Sequence, residues 1–181
     1  MISILKKLVY IIIFSGVYYV FERYLKIQTG FTYVSFSYAQ PVLNSVSIIA
    51  GPLVGAFASA IGELLVFQSL DMAPNWVSAG CIFLYCGSIG LAMRNVNIKQ
   101  GSFRKNDIML FNHSHFFSGL VFWVILYPLL NRFFYHANFW EIFKTGLGRA
   151  CGFWIMNFVT GTLLLSLFAK SRISAENFYG S

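Results

Sequence analysis

Glu63 is the residue of this chain best placed to do chemistry, because it is an acid within a long apolar segment. Residues 53–70 hold no other charged side chain, and an ionisable group inside a membrane is costly and usually functional. Glu63 therefore needs a polar partner or water. Small residues recur around it at three- and four-residue spacing, namely Gly51, Gly55, Ala56, Ser59, Ala60 and Gly62. Such a stripe equally predicts a face on which another helix packs closely.

The histidines and cysteines do not form a recognisable site. His113 and His115 stand two residues apart, so a helix would place them on different faces. A buried neutral histidine, or a polar contact near the start of the helix, is the simpler interpretation. Cys81, Cys86 and Cys151 lie in apolar segments without the paired spacing of a metal site. The sequence also lacks the zinc-protease, nucleophile-elbow and phosphate-loop motifs. We therefore predict no catalytic residue, no metal site and no cofactor.

Aromatic and amide side chains cluster near the ends of the apolar segments. Such clusters are typical of the aromatic belt at a membrane surface. Several of them converging would instead form a small-molecule pocket with stacking faces and a few hydrogen bonds. Trp154 and Asn157 repeat this combination on one helix face, because they stand three residues apart. Together with Glu63, the candidate substrate-binding residues are Tyr33, Phe36, Gln40, Gln68, Trp76, Asn131, Trp154 and Asn157.

The composition of the 181-residue chain is that of a membrane protein. It is 57% hydrophobic, 19% aromatic and only 10% charged, whereas soluble proteins have about 25% charged residues. These few charges cannot cover a surface in water. The net charge of +7 comes from bases that flank long apolar runs, so it indicates orientation in a membrane rather than nucleic-acid binding.

The apolar segments predict six helices. A bilayer core is crossed by about 20 helical residues, and the Gly51-Pro52 pair must break the apolar stretch from 41 to 70, because proline ends or kinks a helix. The sequence therefore predicts one domain, 1–181, with six transmembrane helices in a single bundle. Their approximate bounds are 8–24, 41–50, 53–70, 76–93, 108–131 and 147–169.

The distribution of Lys and Arg supports this count, since these residues concentrate in cytoplasmic loops. Six crossings place three basic clusters on one side: Lys6 and Lys7; Arg94, Lys99, Arg104 and Lys105; Lys170 and Arg172. The other side receives Arg23, Lys26, Arg132, Lys144 and Arg149. We therefore expect an all-α integral membrane protein with both termini in the cytoplasm.

Two segments of the second and third helices carry a family resemblance. Residues 50–56 read Ala-Gly-Pro-Leu-Val-Gly-Ala, and residues 61–65 read Ile-Gly-Glu-Leu-Leu. They are similar to the Gly-Pro-x-x-Gly-Ala segment, followed by Gly-Asp-Leu, of the substrate-binding S components of energy-coupling factor (ECF) vitamin transporters. The six-helix layout with a long first outer loop, and Asn157 in the last helix, also resemble that family.

The resemblance implies a multi-pass protein of the prokaryotic plasma membrane that captures a vitamin or related small molecule from outside. It further implies delivery by toppling in the lipid bilayer, with the protein docked on a transmembrane coupling subunit that is driven by a pair of ATPases. Neither nucleic-acid binding nor enzyme activity is expected.

Two other functions remain open at this stage. A small multispanning scaffold, such as the cell-shape protein MreD, also has five or six helices and few charges, and it would hold no ligand pocket. An intramembrane enzyme would use Glu63 with His113 or His115 as an acid–base pair. We rank the transporter first, the scaffold second and the enzyme third.

Overall fold

The computed structural model describes residues 4–29 and 33–179, and this part of the chain is a helical bundle. Its helices are α1 (Ile4–Tyr24), α2 (Ala39–Ile49), α3 (Pro52–Ser69), α4 (Trp76–Ala92), α5 (Lys105–Tyr135) and α6, which runs from Phe139–Met156 through Asn157–Gly161 into Thr162–Tyr179. A hairpin of β1 (Ile27–Gln28) and β2 (Ser35–Phe36) joins α1 to α2, and a 3-10 turn (Ile98–Gln100) precedes α5. The all-α membrane fold is confirmed, since α1, α3, α5 and the Phe139–Arg172 part of α6 are long and apolar enough to cross a bilayer.

The predicted break between the second and third helices is present at Gly51 and Pro52. Gly51 has a backbone φ angle of 119°, which residues other than glycine rarely adopt. Pro52 is the first residue of α3. The 11 residues of α2 rise only about 16 Å, about half the thickness of a bilayer core. Most side chains of α2 are buried, so this helix is surrounded by protein rather than lipid.

The stripe of small residues on α3 is a packing face. A Cβ atom at Gly62 would lie 2.7 Å from the ring of Tyr18 on α1, so only glycine allows this approach. On the opposite side, Ser59 Oγ bonds to the carbonyl oxygen of Ala56 in its own helix and lies 3.5 Å from that of Ile82 on α4. The α3 helix is therefore clamped between α1 and α4, with Glu63 beside the tightest contact.

The last two helices extend further than the sequence indicates. The helix expected at 108–131 runs over Lys105–Tyr135, and the one expected at 147–169 begins at Phe139. Asn138 caps this start, because its side-chain oxygen accepts hydrogen bonds from the backbone N–H groups of Trp140 and Glu141 at 3.0 and 3.4 Å. Arg149 consequently lies well inside α6 rather than near its beginning.

Both long helices contain a π-helical segment. It spans Leu120–Leu126 in α5 and Asn157–Gly161 in α6. Such segments insert an extra residue into a turn and are frequent at functional sites. Trp123 lies within the first segment, and its ring packs 5.5 Å from that of Phe153, which lies one turn before the second.

Candidate functional site

The carboxylate of Glu63 accepts hydrogen bonds on both oxygens. Tyr18 Oη donates to Oε2 over 2.7 Å, and Ser78 Oγ donates to Oε1 over 2.6 Å. Arg149 Nη1 donates to the same Oε1 over 3.0 Å. Only 4% of the Glu63 side chain is exposed. The partner that this buried acid requires is therefore an arginine, supported by two hydroxyl groups.

Arg149 is held by charge, by hydrogen bonds and by aromatic rings. Its Nη1 also donates to Ser78 Oγ over 2.8 Å, and its Cζ lies 5.0 Å from the ring centre of Trp123 and 5.7 Å from that of Tyr127. A guanidinium over a ring face is attracted by the quadrupole of the ring. Although Glu63 is buried, the Arg149 side chain remains 23% exposed. The ion pair is therefore accessible on its arginine side.

Gln40 brings α2 into the same group of side chains. Its Nε2 donates to Tyr18 Oη over 3.4 Å. We define the Glu63 cluster as Tyr18, Gln40, Glu63, Ser78, Trp123 and Arg149, one residue from each of the six helices. At 1.5 Å per helical residue, Glu63 lies roughly 9 Å before the end of α3, and Arg149 lies roughly 15 Å after the start of α6. The cluster thus occupies the half of the bundle that carries the hairpin.

A second polar layer lies deeper in the bundle, with Asn157 about 12 Å beyond Arg149 along α6. Asn44 Nδ2 donates to Asn157 Oδ1 over 3.0 Å. Tyr85 Oη and His115 Nδ1 are 2.9 Å apart and share a hydrogen bond. All four side chains of this Asn157 layer are fully buried. The burial of His115 agrees with its interpretation from the sequence.

The hairpin between α1 and α2 lies directly on α6. The carbonyl oxygens of Tyr33 and Ser35 occupy the space that a Cβ atom would take at Gly148 and Gly152, respectively. Tyr33 Oη also donates to Glu141 Oε2 over 2.7 Å, and this hydrogen bond raises the pKa of the Tyr33 phenol. The hairpin is therefore docked on α6 by backbone contact and by an exposed side-chain bond.

The structure brings part of the predicted substrate site together. Gln40 and Glu63 belong to the Glu63 cluster, and Asn157 belongs to the deeper layer. Tyr33 and Phe36 lie on the hairpin segment that covers α6, where Tyr33 is exposed and Phe36 is half-buried. These five residues thus lie on the hairpin segment, in the Glu63 cluster and in the Asn157 layer.

The remaining four predicted residues lie elsewhere. Trp76 and Gln68 are exposed and line a shallow recess of about 490 Å³ at the end of the bundle. Asn131 is buried near that same end. Trp154 turns towards α5, where its indole N–H donates to the carbonyl oxygen of His115 over 3.1 Å. Its contacts are thus with α5 rather than with the Glu63 cluster.

Sequence reasoning missed four members of the cluster: Tyr18, Ser78, Trp123 and Arg149. The available signal was the need of Glu63 for a base, because a buried carboxylate is rarely left unpaired. With the last helix placed at 147–169, however, Arg149 counted among the bases near the membrane surface. The earlier start of α6 at Phe139 is what carries Arg149 to the depth of Glu63.

The acid–base pair of the enzyme hypothesis is not formed. His115 bonds to Tyr85, and exposed His113 bonds through Nδ1 to the backbone carbonyl of Met109, whereas Glu63 bonds to other groups. Within 4–29 and 33–179, no three His, Cys, Asp or Glu side chains come together as a metal site. The chemistry of the Glu63 cluster is therefore that of hydrogen bonding and charge.

Comparison with known proteins gives one family over nearly the whole chain. A family model described as "ECF-type riboflavin transporter, S component" matches residues 2–171. Among curated relatives, a UPF0397 protein of Enterococcus faecalis is 27% identical over 167 residues, which cover 92% of this chain and 91% of the relative. A UPF0397 protein of Clostridium perfringens is 28% identical over 172 residues, which cover 93% of this chain and 91% of the relative.

Proposed function

The chain belongs to the family of S components of ECF-type riboflavin transporters, and from this membership we propose that it captures a vitamin or related small molecule outside the cell. The proposed partners are a transmembrane coupling subunit and a pair of ATPases, which would drive delivery of the bound molecule to the cytoplasm. The proposed location is the bacterial plasma membrane with both termini in the cytoplasm. This orientation turns the hairpin and the Glu63 cluster towards the outside.

The observation that carries the proposal is the position of the Glu63–Arg149 pair. Burying two charges in a bundle costs more than apolar packing of the same volume, so stability alone does not account for the pair. Its arginine side stays accessible while the surrounding rings of Trp123 and Tyr127 are buried. An accessible cation flanked by aromatic faces, beneath a docked hairpin, has the composition of a small-molecule site.

The hairpin lies next to such a site. Its backbone rests on Gly148 and Gly152 of α6, close in sequence to Arg149. A ligand on the accessible side of Arg149 would therefore lie near this segment, which we assign as one wall of the binding site.

Equilibrium binding to the purified protein in detergent tests the proposal. We expect one compound in a panel of radiolabelled vitamins to bind saturably, and the Arg149→Met variant to lose that binding. Arg132→Met is the matched control, because Arg132 is an exposed base at the end of α5. Monodisperse, cooperatively unfolding protein that binds no member of the panel would contradict the proposal and favour the scaffold function.

A further inference from the structure

The guanidinium of Arg149 has donors that no described residue uses. Arginine carries five N–H donors in a fixed planar fork. Both hydrogen bonds of Arg149 to described residues leave from Nη1, towards Glu63 and Ser78. Nε and Nη2 form none within this part of the chain. The side chain as a whole is 23% exposed. Neither nitrogen is among the buried polar atoms that lack a partner, so both free donors border accessible space.

Trp123 adds a second unused donor at the same place. Its indole is fully buried, and Nε1 has no hydrogen-bond partner among the described residues. The indole N–H can only donate, and a buried donor without a partner is rare in folded proteins. The ring lies under the Arg149 guanidinium, with Cζ 5.0 Å from its centre. The unused donors thus belong to two side chains that lie against each other.

The unused polar groups of Arg149 and Trp123 are donors. Glu63 already accepts two hydrogen bonds on Oε1 and one on Oε2, whereas guanidinium and indole N–H groups can only donate, so the ligand atoms that meet them must accept. The Nε and Nη2 hydrogens lie side by side on one edge of the guanidinium, which matches two oxygens of a carboxylate or phosphate. Charge-assisted bonds of this kind are strong inside a protein.

We propose that the free edge of Arg149, together with the Trp123 indole N–H, binds an anionic oxygen group of the transported substrate, either a carboxylate or a phosphate. This assignment rests on the proposed function and narrows its substrate class to acidic compounds. Glu63 and Ser78 act as positioning residues, because they fix Nη1 and so set the direction of the free edge. Arg149 and Trp123 touch the substrate itself.

Paired probes test the assignment on the full-length protein. Each pair holds an acid and its neutral counterpart: nicotinate and nicotinamide, pantothenate and pantothenol, riboflavin 5′-phosphate and riboflavin. We expect the acidic member of one pair to bind at least tenfold more tightly than the neutral member. Arg149→Lys keeps the charge but lacks the fork, so it should weaken that binding at least tenfold.

Trp123→Phe keeps an aromatic ring and removes the N–H, so it should weaken binding of the acidic probe several-fold. Trp140→Phe is the matched control, because Trp140 is 66% exposed. The comparison of acid with neutral compound on the wild-type protein needs no variant, so a variant that fails to fold does not remove the test. Equal binding of both members of the pair that binds would overturn the assignment and leave the proposed function standing. If none of the six compounds and no member of the wider vitamin panel binds, both this assignment and the proposed function are overturned.

Discussion

Removing one charge of the Glu63–Arg149 pair should destabilise the protein strongly. Removing both charges should cost much less than the sum of the two single losses of unfolding free energy. Truncating one partner of a buried ion pair typically costs 3–5 kcal/mol, because the other charge is left uncompensated. The accessible side of Arg149 allows water to relieve part of this cost. We therefore expect about 2–4 kcal/mol for Glu63→Gln and for Arg149→Met. The double variant should be at least about 1.5 kcal/mol more stable than the sum of the two single effects predicts.

Equilibrium unfolding in mixed detergent, followed by tryptophan fluorescence, measures these free energies. The matched control is the Lys144–Glu141 pair, whose nitrogen and oxygen are 2.9 Å apart but whose side chains are more than half exposed. Solvent screens such a pair, so Lys144→Gln should leave the unfolding transition unchanged. Additivity of the two cluster substitutions within about 0.5 kcal/mol would refute the reasoning, as would single effects no larger than that of the control.

Two further predictions concern the hairpin and the deeper layer. In Gly152→Val, the added side chain would collide with the carbonyl oxygen of Ser35, so limited proteolysis should cut the hairpin faster; Gly80→Val, where a Cβ atom meets nothing within 4 Å, should not change the rate. Asn157→Leu removes the acceptor of Asn44 Nδ2, and detergent unfolding should show a loss of about 1–3 kcal/mol for the unpaired amide. An unchanged rate of hairpin cleavage in Gly152→Val would contradict the Ser35–Gly152 contact. Unchanged unfolding free energy in Asn157→Leu would contradict the Asn44–Asn157 hydrogen bond.

The helices were largely predictable because each depends on local signals. Gly51 and Pro52 divide α2 from α3 whatever the surroundings, since both restrict their own backbone. The earlier start of α6 was less visible, because residues 139–146 mix aromatic residues with Glu141 and Lys144. The cap at Asn138 was the available signal for this start. Capping residues therefore deserve equal weight with hydropathy at helix ends.

The sequence predicted two members of the Glu63 cluster, Gln40 and Glu63, and only Glu63 is anomalous by itself. Glu63 stands out because an acid in an apolar helix has a high cost wherever its partner lies. Tyr18, Ser78 and Arg149 look ordinary in the sequence, and what distinguishes them is a meeting of α1, α4 and α6 that depends on tertiary packing. Trp154 remains a predicted ligand contact, and the bond of its indole N–H to α5 likewise depends on tertiary packing.

The order of side chains along α6 separates the Glu63 cluster from the Asn157 layer. Arg149, Phe153 and Asn157 follow at four-residue spacing and so share a face. The ring of Phe153 lies 5.5 Å from that of Trp123 and 5.8 Å from that of Tyr85, forming an apolar plug between the two polar layers. Under the proposed function, a ligand on Arg149 would rest on this plug, and toppling of the whole bundle would carry it to the opposite side of the membrane.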